Sequence, residues 1–240
     1  MASDSLRLSG RARLTFAAHL FKAVTRQHHR ELIPILRPLL PADGVVLDIG
    51  AHAGQMAKLF AGLAPNGHVH AFEPGAYALS VLRPAVALRG RGRITIEPVA
   101  LGAKPGRLTL TTPIKRSGSY GFGLSHLGAT TGQKAFRHEV AVETVDGFVA
   151  RRGLGRVDLI KADIEGWEMQ MLQGAVRTLT ELRPALMLEV VDAYLARAGD
   201  SRAALWRFLS ALNYRPCRLA EGLPPFDPEA DGDVVWIPAP

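Results

Sequence analysis

Short apolar runs alternate with stretches of helical periodicity along the middle of the chain. Five runs have the length and bounding residues of buried strands: Val45–Leu47, Val69–Phe72, Ile94–Val99, Val157–Ala162 and Leu186–Val190. Between and after them, apolar spacing predicts helices at Gln55–Leu63, Ala76–Leu88 and Ala203–Leu212. Two more helices are predicted: one begins after its cap at Thr144 and ends at Arg152, and one buries Met169, Leu172 and Val176. This alternation predicts an α/β fold, with a mostly parallel sheet and helices on both faces.

The two ends of the chain follow different patterns. Residues 12–26 place Leu14, Ala17, Phe21 and Val24 at helical spacing, which predicts a helix packed on the domain by that face. The opposite face is basic, which also suits a lid over a pocket or a helix on a membrane surface. Near the C-terminus, Tyr214–Leu219 and Val234–Ile237 predict a last strand pair, with one antiparallel strand near the sheet edge. We expect an N-terminal helical extension, residues 1–44, and one domain, residues 45–240.

Residues 113–137 contain many Gly, Ser and Thr residues and show little periodicity. We predict a mobile loop here, between a strand at Leu108–Thr111 and a short strand that contains Val140 and Val142. Closure of such a loop would exclude water and bring polar and aromatic side chains onto a bound molecule. A surface insertion without that role is the alternative.

The composition limits the compartment and the kinds of site. The chain has 240 residues, of which 48% are hydrophobic, and a formal net charge of +7. Cys217 is the only cysteine, which rules out an intramolecular disulfide and a zinc site built from several thiolates. A reducing, cytoplasmic location fits best. No apolar stretch reaches the length of a membrane span, and we expect no signal peptide.

The most informative chemical feature is a glycine turn that precedes a second strand and a carboxylate. The first strand leads into Asp48, Gly50 and Gly54, and the second ends at Glu73. The spacing G-x-x-x-G differs from the G-x-G-x-x-G of dinucleotide binders, and Asp48 would repel a phosphate. Glu73 stands where a carboxylate accepts hydrogen bonds from both ribose hydroxyls. A cationic ligand with a ribose and no phosphate is S-adenosylmethionine, which is therefore the predicted cofactor.

Seven segments in order resemble one known family. They are LDIGAHAG (47–54), AFEP (71–74), VALG (99–102), ETVDGF (143–148), IKADIEGWE (160–168), LQGA (172–175) and LEV (188–190). Together they resemble the FkbM family of S-adenosylmethionine-dependent methyltransferases, over a core of residues 45–191. The resemblance implies a Rossmann-like class I methyltransferase fold with a seven-stranded, mostly parallel sheet. It also implies methyl transfer to a hydroxyl of a sugar, a glycan or a natural-product small molecule.

The same resemblance implies which residues bind the cofactor. Those after the first strand would border its methionine part, those after the second strand its ribose, and those after the third its adenine. His52 stands where many members of the family carry Asn, which changes hydrogen bonding near the methionine carboxylate. The expected cofactor-binding residues are Asp48, Gly50, His52, Gly54, Glu73, Pro74, Val99 and Ala100.

Three carboxylates are candidates for the catalytic residues. Asp163 and Glu165 follow the fourth core strand, whose carboxyl end faces the ligand crevice of such sheets, and Glu189 lies near the end of the next strand. A hydroxyl is a poor nucleophile, so methyl transfer to its oxygen needs a base or a metal to remove the hydroxyl proton. One of these carboxylates is also suited to hold a divalent cation. The alternatives are a cofactor contact for Asp163, a helix cap for Glu165 and a turn-orienting role for Glu189.

Other functions remain as competing hypotheses. The positive net charge is compatible with a nucleic-acid methyltransferase, but the chain has no N/D-P-P-Y/F segment after the fourth strand and no separate RNA-binding module. A binding protein that keeps the cofactor fold without catalysis is another hypothesis. A nicotinamide oxidoreductase is disfavoured by the glycine spacing. We therefore expect a small-molecule or glycan acceptor rather than a nucleic acid, and the oligomeric state is not indicated.

Overall fold

The computed structural model describes residues 10–90, 92–113, 126–127, 135–226 and 231–239. Within these ranges the strands are β1 Val45–Ile49, β2 His68–Phe72, β3 Ile94–Glu97, β4 Ala100–Leu101, β5 Gly106–Pro113, β6 His126–Leu127, β7 Ala135–Glu143, β8 Leu159–Ala162, β9 Ala185–Val190, β10 Tyr214–Arg218 and β11 Gly232–Pro238. The α-helices are α1 Gly10–Thr25, α2 Ile33–Leu36, α3 Gln55–Leu63, α4 Ala76–Arg89, α5 Val145–Arg152, α6 Glu168–Gln173, α7 Asp192–Arg197 and α8 Arg202–Ala211. A 3-10 helix at Arg30–Leu32 and a short π-helix at Thr178–Leu182 complete them.

The main sheet has seven strands in the order β10-β11-β9-β8-β1-β2-β3. Strands β1, β2, β3, β8 and β9 pair in parallel. Strand β11 lies between β9 and β10 and runs antiparallel to both of them. The predicted α/β fold, with a mostly parallel seven-stranded sheet and one antiparallel strand, is therefore confirmed.

The register of the central strands determines where a ligand can bind. Ile49 at the end of β1 pairs with Phe72 of β2 and with Ala162 of β8. The three chains therefore leave the sheet at the same level, and the residues that follow lie side by side at its carboxyl edge. In open parallel sheets this edge carries the ligand crevice.

Alternate residues of the central strands supply two hydrophobic cores, one on each face of the sheet. Leu47 and Ile49 of β1 join the core that contains Phe148 and Met171, whereas Val46 joins the core that contains Phe60. All six of these residues are almost completely buried. Because successive side chains of a strand point to opposite faces, the continuous apolar run of β1 serves both cores, as in sheets covered by helices on both faces.

Helix α1 packs on α4 by a face that overlaps only in part with the predicted one. Ala23 is buried against Val81 and Ala85, with the predicted Val24 partly buried beside them, whereas Phe21 is 66% exposed. The prediction that Phe21 and Ala17 lie on the packing face is wrong, since both are exposed. Apolar residues occur on more than one face of this helix, and the local spacing does not show which face meets α4.

A second, four-stranded sheet of order β4-β7-β5-β6 follows β3. Its centre is the antiparallel pair of β5 and β7, which extends from Gly106 opposite Val142 to Pro113 opposite Ala135. The prediction of a loop over 113–137 is wrong at both ends, because Pro113 belongs to β5 and residues 135–137 of β7 pair with β5. His126 and Leu127 form the short strand β6. The rest of the predicted loop lies outside the described residues.

The helices that follow are close to those predicted, with two exceptions. Helix α5 begins after Thr144, whose Oγ1 accepts a hydrogen bond from the Gly147 amide at 2.9 Å, as predicted for its cap. Val176 lies beyond the end of α6 and is 41% exposed, so its predicted burial is wrong. Helix α7 is not among the predicted helices. No helix in the described ranges is long and apolar enough to cross a membrane.

Candidate functional site

A cavity of about 550 Å³ lies above the carboxyl ends of β1, β2 and β8. Its walls come from the turn after β1, the start of α4, the segment after β3, one face of the second sheet and the segment after β8. The residues that line it include Gly50, Ala51, His52, Gln55, Met56, Glu73, Pro74, Gly75, Tyr77, Val99, Ala100, Leu110, Thr112, Phe136, His138, Lys161, Asp163, Ile164 and Glu165.

The turn between β1 and α3 packs directly on the segment that follows β8. Gly50 has φ +76°, and a Cβ at this position would lie 2.0 Å from the carbonyl oxygen of Asp163. Gly54 has φ +77° immediately before α3, and His52 has φ +48° between the two glycines. Only glycine fits at position 50 without moving the backbone, so the turn brings main-chain atoms, rather than side chains, against β8.

The Glu73 carboxylate is fixed by two backbone amides at the cavity wall. Its Oε2 accepts a hydrogen bond from the His52 amide at 3.0 Å, and its Oε1 accepts one from the Gly75 amide at 2.7 Å. Burial raises the pKa of Glu73 to about 7, although these two hydrogen bonds act in the opposite direction. Each oxygen retains lone pairs beyond those bonds. The carboxylate can therefore accept hydrogen bonds from two neighbouring hydroxyls while the backbone holds it still.

Lys161 connects the turn with two acidic residues. Its Nζ lies 3.7 Å from Oδ1 of Asp48 and 3.5 Å from Oδ2 of Asp163, and donates a hydrogen bond to the Gly50 carbonyl at 3.1 Å. Burial alone would lower the pKa of Lys161, but Asp163 and Asp48 together raise it. The lysine therefore stays charged, and it holds the glycine turn to β8.

Asp48 lies completely buried beneath the turn and does not line the cavity. Neither of its oxygens has a hydrogen bond of normal geometry among the described residues, apart from a weak interaction with the Ala57 amide. Burial raises the pKa of Asp48, and the charge of Lys161 opposes this. A buried carboxylate with so few hydrogen bonds depends on the positive charge of Lys161 to offset the cost of its burial.

The segment after β8 carries a carboxylate whose pKa is close to neutrality. Glu165 lines the cavity with a side chain that is 12% exposed, at φ +58°. Burial, followed by the charge of Asp163, raises the pKa of Glu165 to about 7. Its Oε2 has no hydrogen-bond partner in the described part of the chain, and the nearest cation is Arg197 Nη2 at 3.9 Å. Behind it, Oε1 of Glu168 accepts a hydrogen bond from the Ile164 amide at 3.1 Å and closes the turn.

Glu189 adds a further acid beside the cavity, although it does not line it. It lies directly opposite Asp233 in the antiparallel pair of β9 and β11. Burial, then the charges of Asp163, Glu165 and Asp233, raise the pKa of Glu189 to about 8. Four carboxylates thus form an acidic rim on a chain whose net charge is +7; they are Asp163, Glu165, Glu189 and Asp233.

The structure brings most of the residues predicted for the site to one cavity. Those that line it are Gly50, His52, Glu73, Pro74, Val99, Ala100, Asp163 and Glu165. Three do not line it: Asp48, Gly54 and Glu189. Lys161 is not among the predicted site residues, although a basic residue inside an apolar strand was a signal for it. The cavity-facing residues of the second sheet were not predicted either, because a contact between distant strands leaves no local pattern.

These features favour a ligand with neighbouring hydroxyls and a positive charge. Glu73, Asp163 and Glu165 all face the cavity, while Lys161, the one lysine among the described residues that line it, lies close to two acids. A phosphate would meet repulsion here. In the ranges that the structure describes, no group of three or more His, Cys, Asp or Glu side chains is arranged to hold a metal ion.

Comparison with known protein families and sequences agrees with this arrangement. The family model described as "Methyltransferase FkbM domain" matches residues 48–216. The 2-O-methyltransferase NoeI of Sinorhizobium fredii is 29% identical over 165 residues, which cover 65% of this chain and 65% of NoeI. The AMB antimetabolite synthetase AmbE of Pseudomonas aeruginosa is 27% identical over 220 residues, which cover 77% of this chain and 10% of AmbE. The chain thus spans less than two thirds of the length of either relative.

Comparison with solved structures supports the fold. The FkbM methyltransferase of Methylobacillus flagellatus KT superposes with a TM-score of 0.53 and 16% sequence identity. The superposition covers 95% of this chain and 60% of the other. At this level of identity the likeness shows a shared Rossmann-like architecture.

Proposed function

Because the chain belongs to the FkbM family of methyltransferases, we propose that it transfers the methyl group of S-adenosylmethionine to a hydroxyl of a sugar, a glycan or a natural-product small molecule. The observation that carries this proposal is the Glu73 carboxylate, fixed by the amides of His52 and Gly75 in the wall of the cavity. A carboxylate at this place in the fold is suited to a ribose.

The residues of the cavity fit the proposed cofactor. Glu73 would accept hydrogen bonds from the ribose hydroxyls, and the backbone of the turn after Gly50 would border the methionine part. Pro74, Val99 and Ala100 would border the adenine. The negative charges of Asp163 and Glu165 match a positively charged sulfur better than they match a pyrophosphate. When bound, S-adenosylmethionine supplies a methyl carbon that a nucleophile can attack.

Glu165 is the carboxylate that we assign as the base. A base works best when its pKa lies near the working pH, and the pKa of Glu165 is raised to about 7. Its Oε2 has no hydrogen-bond partner among the described residues. Asp163, in contrast, faces Lys161 Nζ at 3.5 Å. Glu165 would accept the proton of the acceptor hydroxyl as its oxygen attacks, whereas Asp163 would orient that hydroxyl. Glu189 does not line the cavity, and we assign it no direct contact with the acceptor.

The acidic rim also bears on the acceptor. A nucleic acid would bring a row of phosphates to the cavity, where Asp163 and, once it is ionised, Glu165 would repel them. A neutral, hydroxylated molecule meets no such penalty. NoeI is named as a 2-O-methyltransferase, which supports oxygen as the accepting atom. A small-molecule or glycan acceptor is therefore favoured over RNA.

Binding of the cofactor is tested by isothermal titration calorimetry with S-adenosylmethionine. We expect the wild type to bind it, and Glu73→Gln to bind roughly 100-fold more weakly, because the amide has no negative charge and only one accepting oxygen for the two ribose hydroxyls. Glu139→Gln is the matched control, since the Glu139 side chain is 66% exposed, pairs with Arg107 and does not line the cavity. Wild-type protein that binds NAD and not S-adenosylmethionine would eliminate the proposal.

The reaction itself is tested with methyl-labelled S-adenosylmethionine and three kinds of acceptor: neutral oligosaccharides, hydroxylated natural products and RNA. We expect label on a hydroxyl oxygen of one of the first two, and label in RNA alone would contradict this. With the acceptor found, kcat/KM should rise with pH through about 7 as Glu165 loses its proton. Glu165→Gln should lower kcat by roughly 10²–10⁴-fold without weakening cofactor binding, and full activity in this variant would contradict the assignment.

A further inference from the structure

The second sheet presents one face to the cavity. Leu110 lies directly opposite His138, and Thr112 directly opposite Phe136, in the antiparallel pair of β5 and β7. Residues two apart on a strand point to the same side, so the four side chains share one face, and all four line the cavity. The inserted sheet is therefore a wall of the site and not a separate surface structure.

Leu110 and His138, one of the two residue pairs of this face, lie beside the end of β2. A Cβ built on Gly75 would come 3.6 Å from Cδ2 of Leu110, and His138 interacts weakly with the backbone of Pro74. Gly75 is also the residue whose amide holds Glu73. Leu110 and His138 thus adjoin the part of the cavity where the proposed function requires the adenosine half of the cofactor.

His138 has unused hydrogen-bonding capacity at this place. Both of its ring nitrogens are buried, and neither has a hydrogen bond of normal geometry among the described residues. Burial lowers the pKa of His138, against the weak opposing effect of Pro74, so the ring is neutral at neutral pH. A neutral imidazole has one N–H donor and one bare nitrogen acceptor. Buried polar atoms without partners are rare in native proteins and call for an explanation.

We infer that His138 recognises the edge of the adenine ring, with Leu110 packed against the adenosine beside it. Adenine carries an exocyclic amino donor between two ring-nitrogen acceptors. The bare nitrogen of His138 accepts a hydrogen bond from the 6-amino group, and this interaction distinguishes adenine from purines that lack that group. This inference rests on the proposed function, because it takes the cavity to bind S-adenosylmethionine.

The test is calorimetric and needs no acceptor. Two ligands are compared: S-adenosylhomocysteine, and its analogue in which purine replaces adenine so that the 6-amino group is absent. We expect wild-type protein to bind the adenine compound roughly tenfold more tightly, because the analogue leaves the buried imidazole unpaired. His138→Leu should bind the two with nearly equal dissociation constants. His138→Gln, which keeps a donor and an acceptor, should retain part of the preference.

The control is His68→Leu, since His68 hydrogen-bonds Thr95 and is not among the cavity-lining residues. It should keep the full preference for adenine, and thermal unfolding should show that all variants fold. An unchanged preference in His138→Leu would overturn the inference and leave the proposed function intact. Wild-type protein that binds neither ligand would overturn the proposed function as well, so the two failures are distinguishable.

Discussion

Replacing Gly50 by alanine tests the close approach of the glycine turn to β8. The new Cβ would lie 2.0 Å from the Asp163 carbonyl oxygen and 3.0 Å from its carbonyl carbon, at φ +76°. A left-handed backbone costs an L-residue about 1 kcal/mol, and overlap with backbone atoms adds about 1–3 kcal/mol. We expect the free energy of unfolding to fall by about 3 kcal/mol, which lowers the Tm of a chain of this size by about 6–12 °C.

The assay is differential scanning calorimetry of Gly50→Ala beside Gly153→Ala. Gly153 also has a left-handed backbone, with φ +62°, but a Cβ there would meet no atom within 4 Å. This control therefore carries only the conformational cost, about 1 kcal/mol or 2–4 °C. Gly50→Ala should in addition lose binding of S-adenosylmethionine. Equal stability losses in the two variants would refute the packing of the turn on Asp163.

Three further predictions concern stability. Lys161→Met should lower the free energy of unfolding, measured by urea denaturation, by about 3 kcal/mol, because it leaves Asp48 buried without its cation. The double variant with Asp48→Asn should recover part of that loss. If the losses of the two single variants simply add in the double variant, the pairing is contradicted. Glu189→Gln should raise the Tm by about 2–4 °C at pH 9 and hardly at pH 4.5. The folded-state pKa of Glu189 is raised to about 8, so the folded protein binds the proton more tightly and stability falls as pH rises from about 4.5 to 8; an equal effect at both pH values would contradict this. Thr144→Ala should cost about 1 kcal/mol through loss of the α5 cap, whereas Thr144→Ser should cost little.

The parts of the fold that could be predicted are those whose signal is local. The central strands are apolar runs because helices cover both of their faces, and the register then brings Gly50, Glu73 and Asp163 to one edge. The cap at Thr144 was predictable for the same reason, since a cap needs only residues within three positions of it. Strand–helix alternation predicts the mostly parallel sheet with helices on both faces, and the resemblance to the FkbM family implies its seven strands.

The parts that could not be predicted depend on partners far along the chain. Phe136 and His138 face the cavity because β7 pairs with β5 across about thirty residues of sequence, and the local pattern that predicts each strand does not indicate which strand it pairs with. The packing face of α1 depends on the surface of α4, so Phe21 could not be assigned to the exposed side. Lys161 interrupts an apolar strand, and its role in holding the glycine turn depends on its position between Asp48 and Asp163, which the local pattern does not show.

The crystal structure of the protein with S-adenosylhomocysteine tests the central claim most directly. We expect the ribose hydroxyls within about 3 Å of the Glu73 carboxylate, the adenine beside Pro74 with its 6-amino group at the His138 ring, and the sulfur on the side of Asp163 and Glu165. Adenosine bound anywhere else on the protein, or no binding at millimolar concentration of the ligand, would contradict it.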